Sequence, residues 1–319
     1  VVRALVAILL AFAAAPAGAQ RAVPVPSYNL AAYTELYAGP KDSFAKLTLP
    51  STLYLPQAAA GKVPAVIVMH GSAGVGGVER AVADRLVQDG IAALVVDWFT
   101  GRGITNTQGD QSQISFPSTA VDVLMAFKAL AAMPEIDPAR IGVVGYSRGA
   151  TAQVMANSRN LAELWVGPGR SLAAFAMYYP ACNRYQEPLK PMAGSVLILA
   201  GAGDTLTPPE PCKDYVAALG AAGVRAELAV YPDNAHAFDR IVGIRNSAGD
   251  QNSSRCPFRI GEDGVLTLPD GSKVSDGAGL QAYARRYVIR GATFGGTAQA
   301  ADAAFAAFIA FAKTALAAR

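Results

Sequence analysis

Charge is scarce in this chain. Only 16% of its 319 residues are Asp, Glu, Lys or Arg, the net charge is +3, and no basic cluster exists of the kind a phosphate backbone needs. Nucleic acid is therefore excluded as an expected partner. Just over half the residues are hydrophobic, which excludes a disordered chain and supplies a deep core. Histidine is scarcer still, with two residues, His70 and His236. Cysteine occurs three times, as Cys182, Cys212 and Cys256, with no C-x-x-C pair. That spacing offers neither a zinc finger nor a dithiol redox motif.

Long apolar runs are also missing. The longest early one, Ala4 to Phe12, follows Arg3 and leads to Ala17-Gly18-Ala19. It is too short to span a bilayer. A basic start, a short apolar stretch and an A-x-A ending describe a secretory signal peptide over residues 1–19, with an uncleaved anchor as the competing reading. The expected mature chain, residues 20–319, is exported to the periplasm or the medium without stable membrane insertion. Export permits disulfides. Cys182 and Cys212 each follow an expected strand, so adjacent strands would place them side by side. The alternative is three separate buried thiols.

What the chain has is a rhythm. Ala65–Met69, Ala92–Asp97, Ile141–Val144, Ala173–Tyr179, Val196–Ala200 and Ala226–Tyr231 read as strands. Helical segments at Val78–Gln88, Ser118–Met133, Ala150–Ala156 and Lys213–Leu219 separate several of them, and a last helix covers about Ala298–Leu316. Strands that are apolar throughout, alternating with helices, mean an α/β fold with a mostly parallel sheet covered on both faces. Ahead of them, Lys46–Pro50 and Thr52–Pro56 read as two short strands closed by prolines. Residues 20–43 show no clear period and are expected to wrap the surface. No repeat or linker divides the chain, so one domain is expected. Residues 240–296 interrupt the rhythm; Asp263-Gly264 and Asp270-Gly271 carry turn chemistry around Val265–Leu268. This stretch reads equally as a cap over the site or a passive excursion. Residues 99–117 form a second long loop.

In such sheets chemistry sits beyond the carboxyl ends of the strands. There the chain carries Gly145-Tyr146-Ser147-Arg148-Gly149, between a strand and a helix. That context is what a nucleophile elbow requires; the rival is a serine in an ordinary glycine-rich turn. Serine needs a base, and His236 follows the last sheet strand. The base needs a carboxylate to orient it. Asp204, past the strand Val196–Ala200, gives the order Ser, Asp, His; Asp97, Asp233 and Asp239 are its rivals. The backbone N–H groups of Arg148 and Ser72 are the candidate oxyanion donors. His70 is expected to brace its own loop. The Arg148 side chain is expected to pair with a carboxylate, Asp97 or a substrate acid, or to form a structural ion pair. The Gly71–Gly77 loop lacks the Gly-Lys-Ser/Thr ending of a phosphate cradle, which excludes nucleotide binding.

His70-Gly71-Ser72-Ala73-Gly74, the elbow pentapeptide, Gly201-Ala202-Gly203-Asp204 and Asn234–Asp239 together resemble the dienelactone hydrolase family of α/β-hydrolases. Tyr179-Pro180-Ala181-Cys182, Thr207-Pro208 and Ala292–Gly296 are similar to exported members. The resemblance covers about residues 45 to 316. It implies an eight-stranded α/β-hydrolase sheet, no metal or other cofactor, and hydrolysis of ester or lactone bonds in a small molecule. Founding members carry Cys in the elbow where this chain has Ser147, which points to a general serine esterase. The alternatives are a peptidase, thioesterase or acyltransferase with the same triad, and a catalytically inactive binding protein on the hydrolase scaffold.

Overall fold

The structure, a computed structural model, describes residues 19–57, 61–192, 194–240 and 242–318. The expected signal segment therefore lies, but for Ala19, outside the described residues. Eight strands form the main sheet. They are β1 (Ala19–Asn29), β2 (Ala45–Leu55), β3 (Val63–Met69), β4 (Ala92–Val96), β5 (Ile136–Tyr146), β6 (Ala174–Tyr178), β7 (Ser195–Gly201) and β8 (Arg225–Tyr231), in the order β1-β2-β4-β3-β5-β6-β7-β8. β1 pairs with β2, and β2 with β4, antiparallel; from β4 to β8 all neighbours are parallel.

Strand periodicity sends alternate side chains to two separate cores. Ala65, Ile67 and Met69 of β3 face one, with residues of α1 (Tyr33–Tyr37), α3 (Phe116–Ala131), α4 (Arg148–Ala156), α5 (Arg159–Trp165) and α6 (Glu210–Ala221). Val66 and Val68 face the other, where Val82 and Leu86 of α2 (Gly77–Gln88) meet Phe308 and Ile309 of the Ala298–Ala315 helix. Burial on both faces explains why these strands carry no polar alternation.

Two expectations need correction. Residues 20–43 do not merely wrap the surface: β1 runs through them, with Val23, Val25 and Ser27 turned inward. Pro24 and Pro26 obscure that alternation, but an edge strand tolerates proline because one side of its backbone needs no partner. Likewise, Lys46–Pro50 and Thr52–Pro56 are one strand, β2, which continues through Pro50 opposite Pro24. The Asp-Gly turns do bracket short strands, with Leu266–Thr267 pairing with Lys273–Val274 and Phe258–Ile260. Cys182 and Cys212 are bridged, with Cα atoms 4.9 Å apart, across the ends of the neighbouring β6 and β7; Cys256 is free and buried. Among the described residues no helix is long and apolar enough to cross a membrane.

Candidate active site

β5 ends at Tyr146 and α4 begins at Arg148, leaving Ser147 alone to make the turn, at φ 52° and ψ −111°. The two glycines are sterically required. A Cβ on Gly149 would lie 2.5 Å from the His70 carbonyl oxygen, and one on Gly145 would lie 2.7 Å from the Gly149 carbonyl carbon. The Ser147 N–H donates to Tyr178 O (2.9 Å), tying the turn to β6.

The histidine loop reaches the serine because backbone packs directly on backbone. Gly203 N–H donates to Asn234 O (2.7 Å), and a Cβ on Gly201 would approach that same oxygen to 2.5 Å. On its other side the loop is stitched to residues 293–296: His236 N–H donates to Thr293 O (3.2 Å) and Gly295 N–H to His236 O (2.7 Å). Gly296 has no room for a side chain, since its Cβ would lie 2.0 Å from Asn234 Oδ1.

These contacts bring three side chains together. His236 Nε2 lies 2.8 Å from Ser147 Oγ, and His236 Nδ1 lies 2.8 Å from Asp204 Oδ2. The hydrogen-bond network assigns the proton to Nδ1, which leaves the Nε2 lone pair to accept from the serine hydroxyl. Asp204 is buried and held ready to accept: Leu206 and Thr207 N–H donate to Oδ1 (both 2.8 Å), and Thr207 Oγ1 lies 2.9 Å from Oδ2. Two of the three rival carboxylates are engaged elsewhere. Asp97 accepts from Phe99 N–H, Thr100 N–H and the Thr100 hydroxyl. Asp239 accepts from the Tyr179 hydroxyl (2.6 Å).

Among the described residues, four non-glycine residues have positive φ: Ser147, Tyr179, Asp233 and Ala237. All lie in loops past β5, β6 and β8, around the same three side chains. Backbone strain of this kind persists only where surrounding structure over-determines it, and it gathers at functional sites.

Arg148 opens α4, so its N–H has no acceptor within the helix. The turn at Gly71-Ser72 passes close by, for a Cβ on Gly71 would lie 3.4 Å from Ser147 Cβ. The Arg148 side chain departs from expectation. Among the described residues no carboxylate pairs with it. Its guanidinium donates to Gln111 O (3.0 Å), Gln111 Oε1 (2.6 Å) and Ile114 O, and stacks 4.2 Å from the Phe116 ring centroid. Carbonyl dipoles and a ring face replace the anion, and burial pulls its pKa down to about 9. Gln111 in turn donates from Nε2 to Ser72 Oγ (3.0 Å), so one amide joins the two loops that carry the candidate oxyanion donors.

His70 is buried away from the serine. Its Nδ1 donates to Gly71 O (2.7 Å), and its ring stacks on Trp98 with centroids 4.5 Å apart. Desolvation holds its pKa down at about 4, so it stays neutral, as a brace for the loop.

Sequence reasoning missed the roles of Thr207, Tyr179 and Gln111. Tyr179 packs its ring 4.7 Å from that of His236. Thr207-Pro208 and Tyr179-Pro180 were visible as motif residues, but their contacts cross between strand ends and have no sequence period. Gln111, in a polar loop, carried no signal.

The family model described as "Dienelactone hydrolase family" matches residues 49–252. An uncharacterized protein of Mycobacterium tuberculosis (strain H37Rv) is 31% identical over 177 residues, covering 52% of this chain and 61% of that protein. The chain thus spans about three fifths of the curated relative's length. A solved structure of a candidate dienelactone hydrolase from Klebsiella pneumoniae superposes with a TM-score of 0.51 at 22% identity, covering 70% of this chain and 89% of that one. It has the same α/β-hydrolase fold.

Proposed function

The chain belongs to the dienelactone hydrolase family, and on that premise we propose that it is a serine hydrolase cleaving carboxylic ester or lactone bonds of a small molecule. The observation that carries this reading is the unbroken relay Ser147 Oγ–His236 Nε2 and His236 Nδ1–Asp204 Oδ2, each step 2.8 Å. His236 takes the Ser147 proton as the hydroxyl attacks the carbonyl carbon. The N–H groups of Arg148 and Ser72 hold the oxyanion, and the imidazolium, steadied by Asp204, returns the proton to the leaving oxygen. Water then enters by the reverse sequence and releases the acid. Serine in place of cysteine favours a general esterase, because an alkoxide-like nucleophile depends on the base at every turnover. The signal-like N-terminus and the Cys182–Cys212 bridge support a place in an oxidising, exported compartment.

Turnover of p-nitrophenyl acetate tests the reading. Ser147→Ala is expected to lower kcat by at least about 10⁴-fold while leaving the circular dichroism spectrum unchanged. Undiminished turnover in that variant rejects the assignment.

A further inference from the structure

Resting on that reading, we propose that the cleft beside His236 is a leaving-group subsite that takes a neutral, polyhydroxylated alcohol, so that the substrates are esters of sugar-like polyols. The argument begins with sidedness. The proton that His236 Nε2 returns goes to the leaving oxygen, so the alcohol half of a bound ester lies on the histidine side of Ser147. The wall on that side is Phe294, whose ring stands edge-on to His236 with centroids 5.4 Å apart and whose backbone bridges it.

Phe294 also lines a cleft of about 570 Å³ whose other walls come from the 99–117 loop and the strand Arg245–Asn252. Those walls carry Asn106, Gln108, Arg245, Asn246 and Asp250. They are fixed relative to one another: Gln251 N–H donates to Gln108 O (3.0 Å), and Arg290 Nη1 donates to both Gly109 O (3.2 Å) and Gly249 O (2.7 Å). The cleft is therefore built, by two separate chain segments held against each other.

Its chemistry selects the ligand. Arg245 and Asp250 line it with opposite charges, and the guanidinium of Arg290 is taken up by the Gly109 and Gly249 carbonyls, so neither an anion nor a cation meets a single sign of charge. Of the three amides, Asn106 Nδ2 donates to Gln108 Oε1 (2.8 Å) and Asn246 Oδ1 accepts from the Thr293 hydroxyl (3.1 Å), which leaves the amide nitrogens of Gln108 and Asn246 and the remaining oxygen lone pairs to meet hydroxyl groups that both donate and accept. The Phe294 ring gives an apolar wall for the carbon face of such a molecule. An alkyl alcohol would cover the remaining amide N–H groups of Gln108 and Asn246 without pairing them, at a cost for each. A more apolar cavity lies elsewhere. It is about 160 Å³, lined by Phe116, Phe258 and Tyr283, and it borders Gln111 on the oxyanion-loop side. Of the two, the polar cleft is the one that shares a wall, Phe294, with His236.

The test compares two acetates with the same acyl group and a six-carbon alcohol, 6-O-acetylglucose and hexyl acetate, beside p-nitrophenyl acetate. The expected result is a kcat/KM at least about 10-fold higher for the sugar ester, the worth of about one hydrogen bond. Arg245→Ala and the double variant Gln108→Leu/Asn246→Leu are expected to bring that ratio towards one. Equal or faster cleavage of hexyl acetate by the wild-type protein overturns the subsite. So does a ratio that neither variant moves. Failure to cleave any of the three esters overturns instead the serine-esterase reading, and the subsite with it.

Discussion

Ser147 is held at φ 52° by close packing on both sides: its N–H is bonded to β6, Gly149 lies against the His70 carbonyl, and Gly145 lies against the backbone of Gly149. His70 shows the same economy by a different route. Its imidazole is sealed between Trp98, Phe99 and its own loop, neutral, with a pKa of about 4. In the unfolded chain it returns to about 6.5. Between those values the unfolded chain binds a proton that the folded chain refuses, so stability falls as pH drops from 6.5 to 4. At roughly 1.36 kcal/mol per pH unit, the loss reaches about 3 kcal/mol. Urea unfolding at pH 7 and pH 5 checks this. His70→Asn is expected to be less stable at pH 7 but to show a shallower fall than wild type. An identical slope in both proteins would show that His70 does not contribute. At this scale the sequence displayed the three residues of the proposed relay, Ser147, Asp204 and His236, through their positions after strands. It could not display the contacts of Thr207 or Gln111, whose partners lie on other elements and are found only once the chain has folded.

The strand-turn-helix unit depends on two backbones meeting without side chains between them. Gly149→Ala places a methyl group 2.5 Å from the His70 carbonyl oxygen. Strand β3 and helix α4 must then part, at an expected cost of about 1–3 kcal/mol, read as a lower urea midpoint, together with reduced esterase turnover. The same substitution at Gly220, whose Cβ would meet nothing within 4 Å, is expected to be tolerated and serves as the control. Elements of this kind were legible in proportion to their burial. β3 to β7 are apolar on both faces and announced themselves. β1 was hidden by Pro24 and Pro26. The strand Arg245–Asn252 was hidden by its polar sequence, because its pairing with Ile289–Phe294 rests on backbone bonds rather than on an apolar face. The Asp-Gly turns around Leu266–Thr267 were readable because φ of about 80° at Gly264 and 82° at Gly271 leaves little choice of residue.

Across the whole molecule, two cores back to back on one sheet carry the stability, and the Cys182–Cys212 bridge adds a covalent tie between the loop after β6 and the first turn of α6. It closes a segment with a sequence separation of 30 residues. The double variant Cys182→Ala/Cys212→Ala is expected to lose about 2–4 kcal/mol in urea unfolding, measured without reductant, whereas Cys256→Ala leaves the bridge intact. An unchanged midpoint in the double variant would mean that the bridge does not constrain the chain. Fold class was legible at this scale from the alternation of apolar strands and helices alone. The sidedness of the substrate clefts was not, since it depends on how residues 99–117 and 240–296 pack against each other. The central claim, that Ser147 is the nucleophile, is met most directly by labelling the protein with a fluorophosphonate and mapping the adduct by peptide mass. The account predicts one adduct, on Ser147, lost in His236→Ala. An unlabelled Ser147, or an adduct on another residue that persists in Ser147→Ala, would contradict it.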